Sequence, residues 1–227
     1  MILGYNNNYL FLLNQDVFNQ LNSETKAVVL LSNQPSLCET NKFIKKALQT
    51  CPQLSLGGGV GDLSWSTHST SDISSILATL VDFDRFLETE EVEGNEPDED
   101  EARHPHQLTV GIKFAGSIQS STLLISSQVR TEKGVEKRLL EHKTKVKEEN
   151  CLALMFACCG RGKGLYRGKK DVESRAFRRV FPCIPLIGIF GNGEIGMDTS
   201  KPKPQVVKER DFIHGYTTIF FFISYSG

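Results

Sequence analysis

At 227 residues the chain is long enough to bury a substantial core, as one large domain or two small ones. A formal net charge of −1, with 23% charged residues, gives no sign of a nucleic-acid binder. No apolar run approaches the roughly 18–20 residues needed to span a bilayer, so neither nucleic acid nor membrane is expected as a partner. Met1–Asp16 lacks a basic n-region, which argues against a secretory signal. Six cysteines (Cys38, Cys51, Cys151, Cys158, Cys159 and Cys183) form no Cys-x-x-Cys pair. That pattern points to reduced thiols in the cytoplasm or nucleus, not to a disulfide or zinc framework. No metal site and no cofactor are expected.

In chain order, Tyr9–Leu13 and Ala27–Leu31 are short apolar runs that read as strands. Glu39–Thr50 reads as a helix with Phe43, Ile44, Ala47 and Leu48 on one face, ended by Pro52. Gly57-Gly58-Gly59-Val60-Gly61-Asp62 reads as a tight turn; a phosphate loop is the weaker reading, since no Lys-Ser/Thr follows. Apolar spacing of three and four from Ser71 through Phe83 predicts a second helix. Glu88–Glu101 then carries nine carboxylates in fourteen residues and reads as a disordered, solvated linker. Leu108–Phe114 alternates strictly, and with Thr122–Ile125 it predicts an antiparallel hairpin turned at Gly116–Ser120. Thr131 is placed to cap a helix over Glu132–Lys143.

The stretch from Cys151 to Gly196 repeats one grammar. Cys151–Ala157 and Leu186–Phe190 are short apolar runs, each ending in glycines and a charge. They read as buried strands, joined by a crossover helix over Asp171–Phe181. Two parallel strands would deliver the Gly160-Arg161-Gly162 and Gly191-Asn192-Gly193-Glu194 loops to one end of the sheet, where α/β folds place their sites. His214–Ile223 is β-branched and aromatic, so it must be central or covered. The fold class is therefore mixed α/β, with mixed sheets covered by helices. The chain divides into residues 1–103, ending in the acidic 88–103 linker, and residues 104–227.

Several segments carry a specific resemblance. Phe156-Ala157-Cys158-Cys159-Gly160-Arg161-Gly162, Tyr166, Ala176-Phe177-Arg178-Arg179, Phe181-Pro182, Phe190-Gly191-Asn192-Gly193-Glu194-Ile195-Gly196 and His214-Gly215-Tyr216-Thr217-Thr218 resemble the C-terminal FIST domain, in the right order. The resemblance runs from about Val110 to Ile223. Residues 1–103 resemble the companion N-terminal FIST region only loosely. The resemblance implies a non-catalytic binding module. Bacterial members are implied to sense small amino-acid-like ligands. A eukaryotic branch is implied to recognise protein substrates for a Skp1–cullin–F-box ubiquitin ligase, leading to proteasomal degradation. No F-box-like helical segment precedes Ala27, so Skp1–cullin binding is expected only where an F-box is supplied upstream.

Four residues form the expected ligand or substrate site: Cys158, Arg161, Asn192 and Glu194. Arg161 can hold a carboxylate bidentately, Glu194 an ammonium, and Asn192 both donates and accepts. Alternatively, Arg161 and Glu194 pair with each other across neighbouring loops. Cys158 is expected to be the accessible thiol of the Cys158–Cys159 pair, made reactive by Arg161; in the plain alternative it is a small core hydrophobe. His214 could serve as its base, yet no orienting carboxylate or oxyanion hole can be assigned, so no catalytic residue is named. Arg175, Arg178 and Arg179 form a basic face for an acidic partner, or else a solvated helix surface.

Overall fold

Two facing β-sheets form the centre of the molecule, in a computed structural model that describes residues 2–5, 8–12, 21–61 and 109–225. The helix expected from Ser71 to Phe83 and the acidic 88–103 segment lie outside the described residues. The first sheet contains β1 (Ile2–Tyr5), β2 (Asn8–Leu12), β3 (Thr25–Ser32), β4 (Ser55–Val60), β5 (Thr109–Ala115), β9 (Gly193–Gly196) and β10 (Ile213–His214). Its order is β1-β2-β5-β3-β4-β9-β10, with β3–β4 the parallel pair. The second sheet contains β6 (Ile118–Ile125), β7 (Cys151–Cys158), β8 (Leu186–Gly191) and β11 (Thr218–Tyr225), in the order β6-β11-β7-β8. Helix α1 (Leu37–Thr50) covers the outer face of the first sheet. Helices α2 (Glu132–Lys143) and α3 (Val172–Val180) cover that of the second. The result is four layers, helix, sheet, sheet, helices, and it agrees with the expected mixed α/β class.

The continuous apolar runs follow from this layering. A strand covered on both faces sends alternate residues into two different cores. In β3, Val28 and Leu30 pack under α1 with Phe43, Ile44 and Ala47. Ala27 and Val29 face the second sheet and meet Phe156, Ile219 and Phe221. In β11, Ile219 and Phe221 enter that inter-sheet core, while Phe220 and Phe222 turn to the helices. There Phe177 of α3 stacks on Phe220 at 5.6 Å and on Phe222 at 5.9 Å between ring centroids. Strand β11 is central, between β6 and β7, so its aggregation-prone sequence has no open edge. Helix α2 is capped as expected, with Thr131 Oγ1 accepting from Gly134 N at 3.1 Å.

Three expectations are corrected. The Gly57–Asp62 turn is instead largely strand β4, paired with β3 and β9. Its glycines serve close approach: a Cβ on Gly57 would lie 2.7 Å from the Phe221 ring, and one on Gly58 would lie 1.9 Å from Leu30 O. The Gly193–Glu194 segment is likewise strand β9, and the chain passes from one sheet to the other at Asn192. Finally, β5 and β6 do not form a hairpin. Phe114 and Ile118 both pack into the inter-sheet core, so the turn at Gly116 sends the two strands to opposite sides of it. Strand β5 is also covered on both faces, and its Lys113 is buried. Burial pushes the Lys113 ammonium pKa down. The division at residue 103 does not separate the sheets, because β5, β9 and β10 complete the one that carries β3 and β4.

The tight packing at β4 makes Gly58→Ala an informative variant. Its methyl would collide with main chain, not with a movable side chain. Chemical denaturation should show a loss of more than about 3 kcal/mol, or no folded protein. Gly116→Ala, at φ 85° in open space, should lose only about 1 kcal/mol.

Candidate functional site

The motif residues converge where β7 and β8, a parallel pair, reach their C-terminal ends. Strand β7 runs into a 3₁₀ turn over Cys159–Arg161, and β11 begins beside it, with Thr217 O accepting from Cys158 N at 3.0 Å. This turn carries Arg161 inward. Its side chain has no exposed surface and meets Glu173 of α3 at 2.6 Å. Glu173 Oε1 accepts from Arg161 Nε at 2.8 Å and from Tyr166 OH at 2.8 Å. Glu173 Oε2 accepts from Thr218 Oγ1 at 2.8 Å. The remaining guanidinium donors reach Ser126 O, Tyr216 O and Val129 O at 3.1–3.2 Å, and the Tyr166 hydroxyl at 2.8 Å. Each guanidinium nitrogen therefore faces a protein acceptor. Arg161 pairs with Glu173 and not with Glu194. A buried charge needs such complete pairing to persist. The Tyr166 phenol pKa is raised by burial and by the adjacent carboxylate.

Glu194 occupies the opposite side of the second sheet, between the two sheets. It is fully buried. Its Oε2 accepts from Thr217 N at 3.1 Å and Thr217 Oγ1 at 2.7 Å, and its Oε1 has no protein partner among the described residues. Burial raises its pKa to about 7, against the hydrogen bonds from Thr217 that favour the carboxylate. Thr218 at the start of β11 and Thr217 just before it thus each meet one buried glutamate, on opposite faces: Thr217 meets Glu194, and Thr218 meets Glu173.

The two cysteines divide in the opposite sense to that expected. Cys158 is buried, whereas Cys159 is exposed. The Cys158 thiol pKa is raised, first by burial and also by the Glu194 charge, so the site does not favour a thiolate. The 3₁₀ turn explains the inversion, because it points the second cysteine outward. Cys159 Sγ donates to Oδ1 of exposed Asn192 at 3.5 Å. His214 Nε2 bonds to Gly196 O at 2.8 Å, and burial lowers its pKa. No hydrogen bond joins it to Cys158 among the described residues. Nor do His, Cys, Asp and Glu cluster there with metal-binding geometry.

The three arginines of α3 are exposed but engaged. Arg179 meets Glu132 at 2.6 Å and Glu136 at 3.1 Å, while Arg175 lies 3.8 Å from Glu132. Arg178 Nη1 donates to Ile184 O at 2.9 Å. This face fastens α3 to α2 and to the chain before β8. A cavity of about 80 Å³ opens beside it, lined by Met155, Arg161, Tyr166, Lys169, Val172 and Phe190, among others.

Sequence reasoning named Tyr166, Thr217 and Thr218 only as motif residues, without a role in the site, and did not single out Glu173. Its spacing of three, four and seven from Ala176, Phe177 and Val180 places it on the buried face of α3, and that was the available signal.

This arrangement of buried motif residues within paired sheets belongs to a known class. The FIST C domain model matches residues 83–197, just over half of the chain, and the chain belongs to that family. F-box only protein 22 of Homo sapiens is 45% identical over 118 residues, covering 48% of this chain and 29% of that protein. F-box only protein 22 of Pongo abelii is 44% identical over the same length and coverage. The matched region spans less than a third of these curated relatives.

Two outcomes test the geometry. Arg161→Met leaves Glu173 buried without its counter-charge and should cost about 3–5 kcal/mol. For a chain of this size that is a fall of roughly 10 °C in Tm. Adding Glu173→Leu should restore a large part of the loss, as read by a thermal double-mutant cycle. For Glu194, the folded pKa of about 7 lies above the ordinary 4.5, so the folded state holds the extra proton. Its contribution is fully present below about pH 4.5 and is lost as pH rises through 7. Relative to Glu194→Gln, the wild type should lose about 3 kcal/mol across that window in urea titrations.

Proposed function

We propose that this chain is a non-catalytic substrate-recognition module of a Skp1–cullin–F-box ubiquitin ligase, directing bound proteins to proteasomal degradation in the cytoplasm or nucleus. The similarity to F-box only protein 22 carries this reading. The geometry supports a binding role. Arg161 and Glu173 are engaged with each other inside the protein, the Cys158 thiol is buried, and the His214 imidazole is bonded to Gly196 O. Protein recognition then falls to the surfaces left open, and Skp1 and cullin are engaged through an F-box supplied upstream of the module. A second reading, an amino-acid-like ligand sensor, draws on one observation. Among the described residues the buried Oε1 of Glu194 has no protein donor, and a ligand ammonium would satisfy it.

Fused behind an F-box, the chain should assemble with Skp1 and cullin. In cells it should then shorten the half-life of a discrete set of proteins, reversibly with proteasome inhibition. Without the F-box it should capture the same proteins but not Skp1. Quantitative turnover proteomics checks both. Unchanged half-lives with the fusion would overturn the ligase reading, whereas a ligand sensor predicts that result together with amino-acid-dependent thermal stabilisation.

A further inference from the structure

The open edge of the second sheet is β8, with the sequence Leu186-Ile187-Gly188-Ile189-Phe190-Gly191. Pro185 O accepts from Ala153 N at 2.9 Å, so the odd-numbered positions bond towards β7. Alternation turns the N–H and C=O groups of Leu186, Gly188 and Phe190 away from β7. Among the described residues, nothing pairs with them. The strand contains no charge, no proline and no bulge, the devices by which proteins usually blunt such an edge. It instead displays Ile187, 52% exposed, and Phe190, 45% exposed.

We propose that β8 is the docking edge for client proteins, each adding an extended, uncharged, apolar segment as a fifth strand. This rests on the substrate-recognition reading and gives it a place and a ligand chemistry. The occupant follows from size. Six residues span about 20 Å, and the sheet with its side chains is about 10 Å thick, giving about 200 Å² per side. A second copy paired along this edge would bury far less than the roughly 1,200–2,000 Å² of stable interfaces. A short client segment binding transiently fits that area, with main-chain hydrogen bonds supplying the attraction.

Side-chain preference follows from the two faces of the strand. Ile187 and Ile189 lie on the face of the inter-sheet core, where a β-branched residue would extend the packing. On the helix side, Gly188 leaves a notch between Leu186 and Phe190. Met155 forms its floor, and a Cβ on Gly188 would lie 2.9 Å from Met155 Cε. Phe190 and Met155 also line the cavity of about 80 Å³. A bulky apolar client residue opposite Gly188 would fill the notch, and the flexible thioether can adapt to its shape.

The test pans a phage-displayed random heptapeptide library on the full chain. Enriched peptides are then synthesised, labelled and titrated by fluorescence anisotropy. Ile187→Lys places a charge on an already exposed position. Gly188→Pro removes an outward N–H without touching the β7 ladder, and only the movable end of Met155 must give way. The expected result is enrichment of uncharged sequences alternating β-branched with bulky apolar residues, each variant weakening binding at least tenfold while its thermal unfolding stays cooperative. Peptides that bind the variants as tightly as the wild type overturn the edge but leave substrate recognition standing. No enrichment of any sequence overturns both. A wild-type dimer in sedimentation velocity that Ile187→Lys converts to monomer assigns the edge to a second copy and overturns the client segment.

Discussion

The buried ion pair of Arg161 and Glu173 is the constraint around which the C-terminal half is arranged. A guanidinium with no exposed surface requires acceptors on every side, and four segments supply them. They are the carbonyls following β6, the Tyr166 loop, α3, and the Tyr216 carbonyl on the approach to β11. Such a pair is weak evidence of net stability, because desolvation offsets much of the attraction. Its effect is on geometry: it ties α3, the chain after β6 and the β11 entry to one another. Tyr216 shows the consequence. Its carbonyl is held by Arg161, its backbone sits at φ 58°, and the residue is left 66% exposed. An aromatic residue in that conformation is strained, and it persists only where its surroundings fix it.

A second constraint comes from placing two sheets face to face with helices on both outer sides. Every central strand then has no wet face, so polar side chains within the strands and on the buried faces of the helices must find partners inside. Ser32, Thr40 and Thr109 do so as a mutually bonded hydroxyl cluster, each contact 2.9 Å long. His142 does so less completely. Its Nε2 bonds to Ser121 and its ring stacks on Phe222, while burial lowers its pKa to about 4 and keeps the imidazole neutral. Thr122 links the sheets through its hydroxyl, which donates to Met197 O. These contacts join segments far apart in sequence, so the sheets and their helices form one interdependent structure.

How much of this was legible can be argued from particular residues. The elements themselves were readable. The periodicity of α1, the Thr131 cap and the run in β11 each carry a local physical signal, and each appears in the structure close to its expected bounds. Pairing was less accessible. An apolar residue announces that it will be buried without naming the layer that buries it, so β5 and β6 read as a hairpin when they line opposite sides of one core. The glycines of β4 misled for a related reason. A missing side chain permits a turn and permits close packing, and only the positions of Leu30 and Phe221 distinguish the two. The motif at β7 was found, but the roles within it were not. A single 3₁₀ turn decides which cysteine faces outward, and that turn depends on Arg161 being drawn to Glu173, twelve residues further on.

The same network also bears on where recognition can occur. Arg161 is fully occupied, Arg175 and Arg179 are drawn to Glu132, and Arg178 holds Ile184 O. The charged residues that a sequence reading would assign to a partner thus stabilise the module internally. What they support is rigid and largely uncharged: the exposed Tyr216, the Cys159–Asn192 contact, and the β8 edge with Phe190 at its end. A surface of this kind discriminates by shape and main-chain geometry more than by long-range attraction. Its contacts should therefore be less sensitive to salt than those of a basic face. The buried ion pair and the open edge are connected by this logic, because a strand edge selects among partners only when the sheet behind it is held in one position.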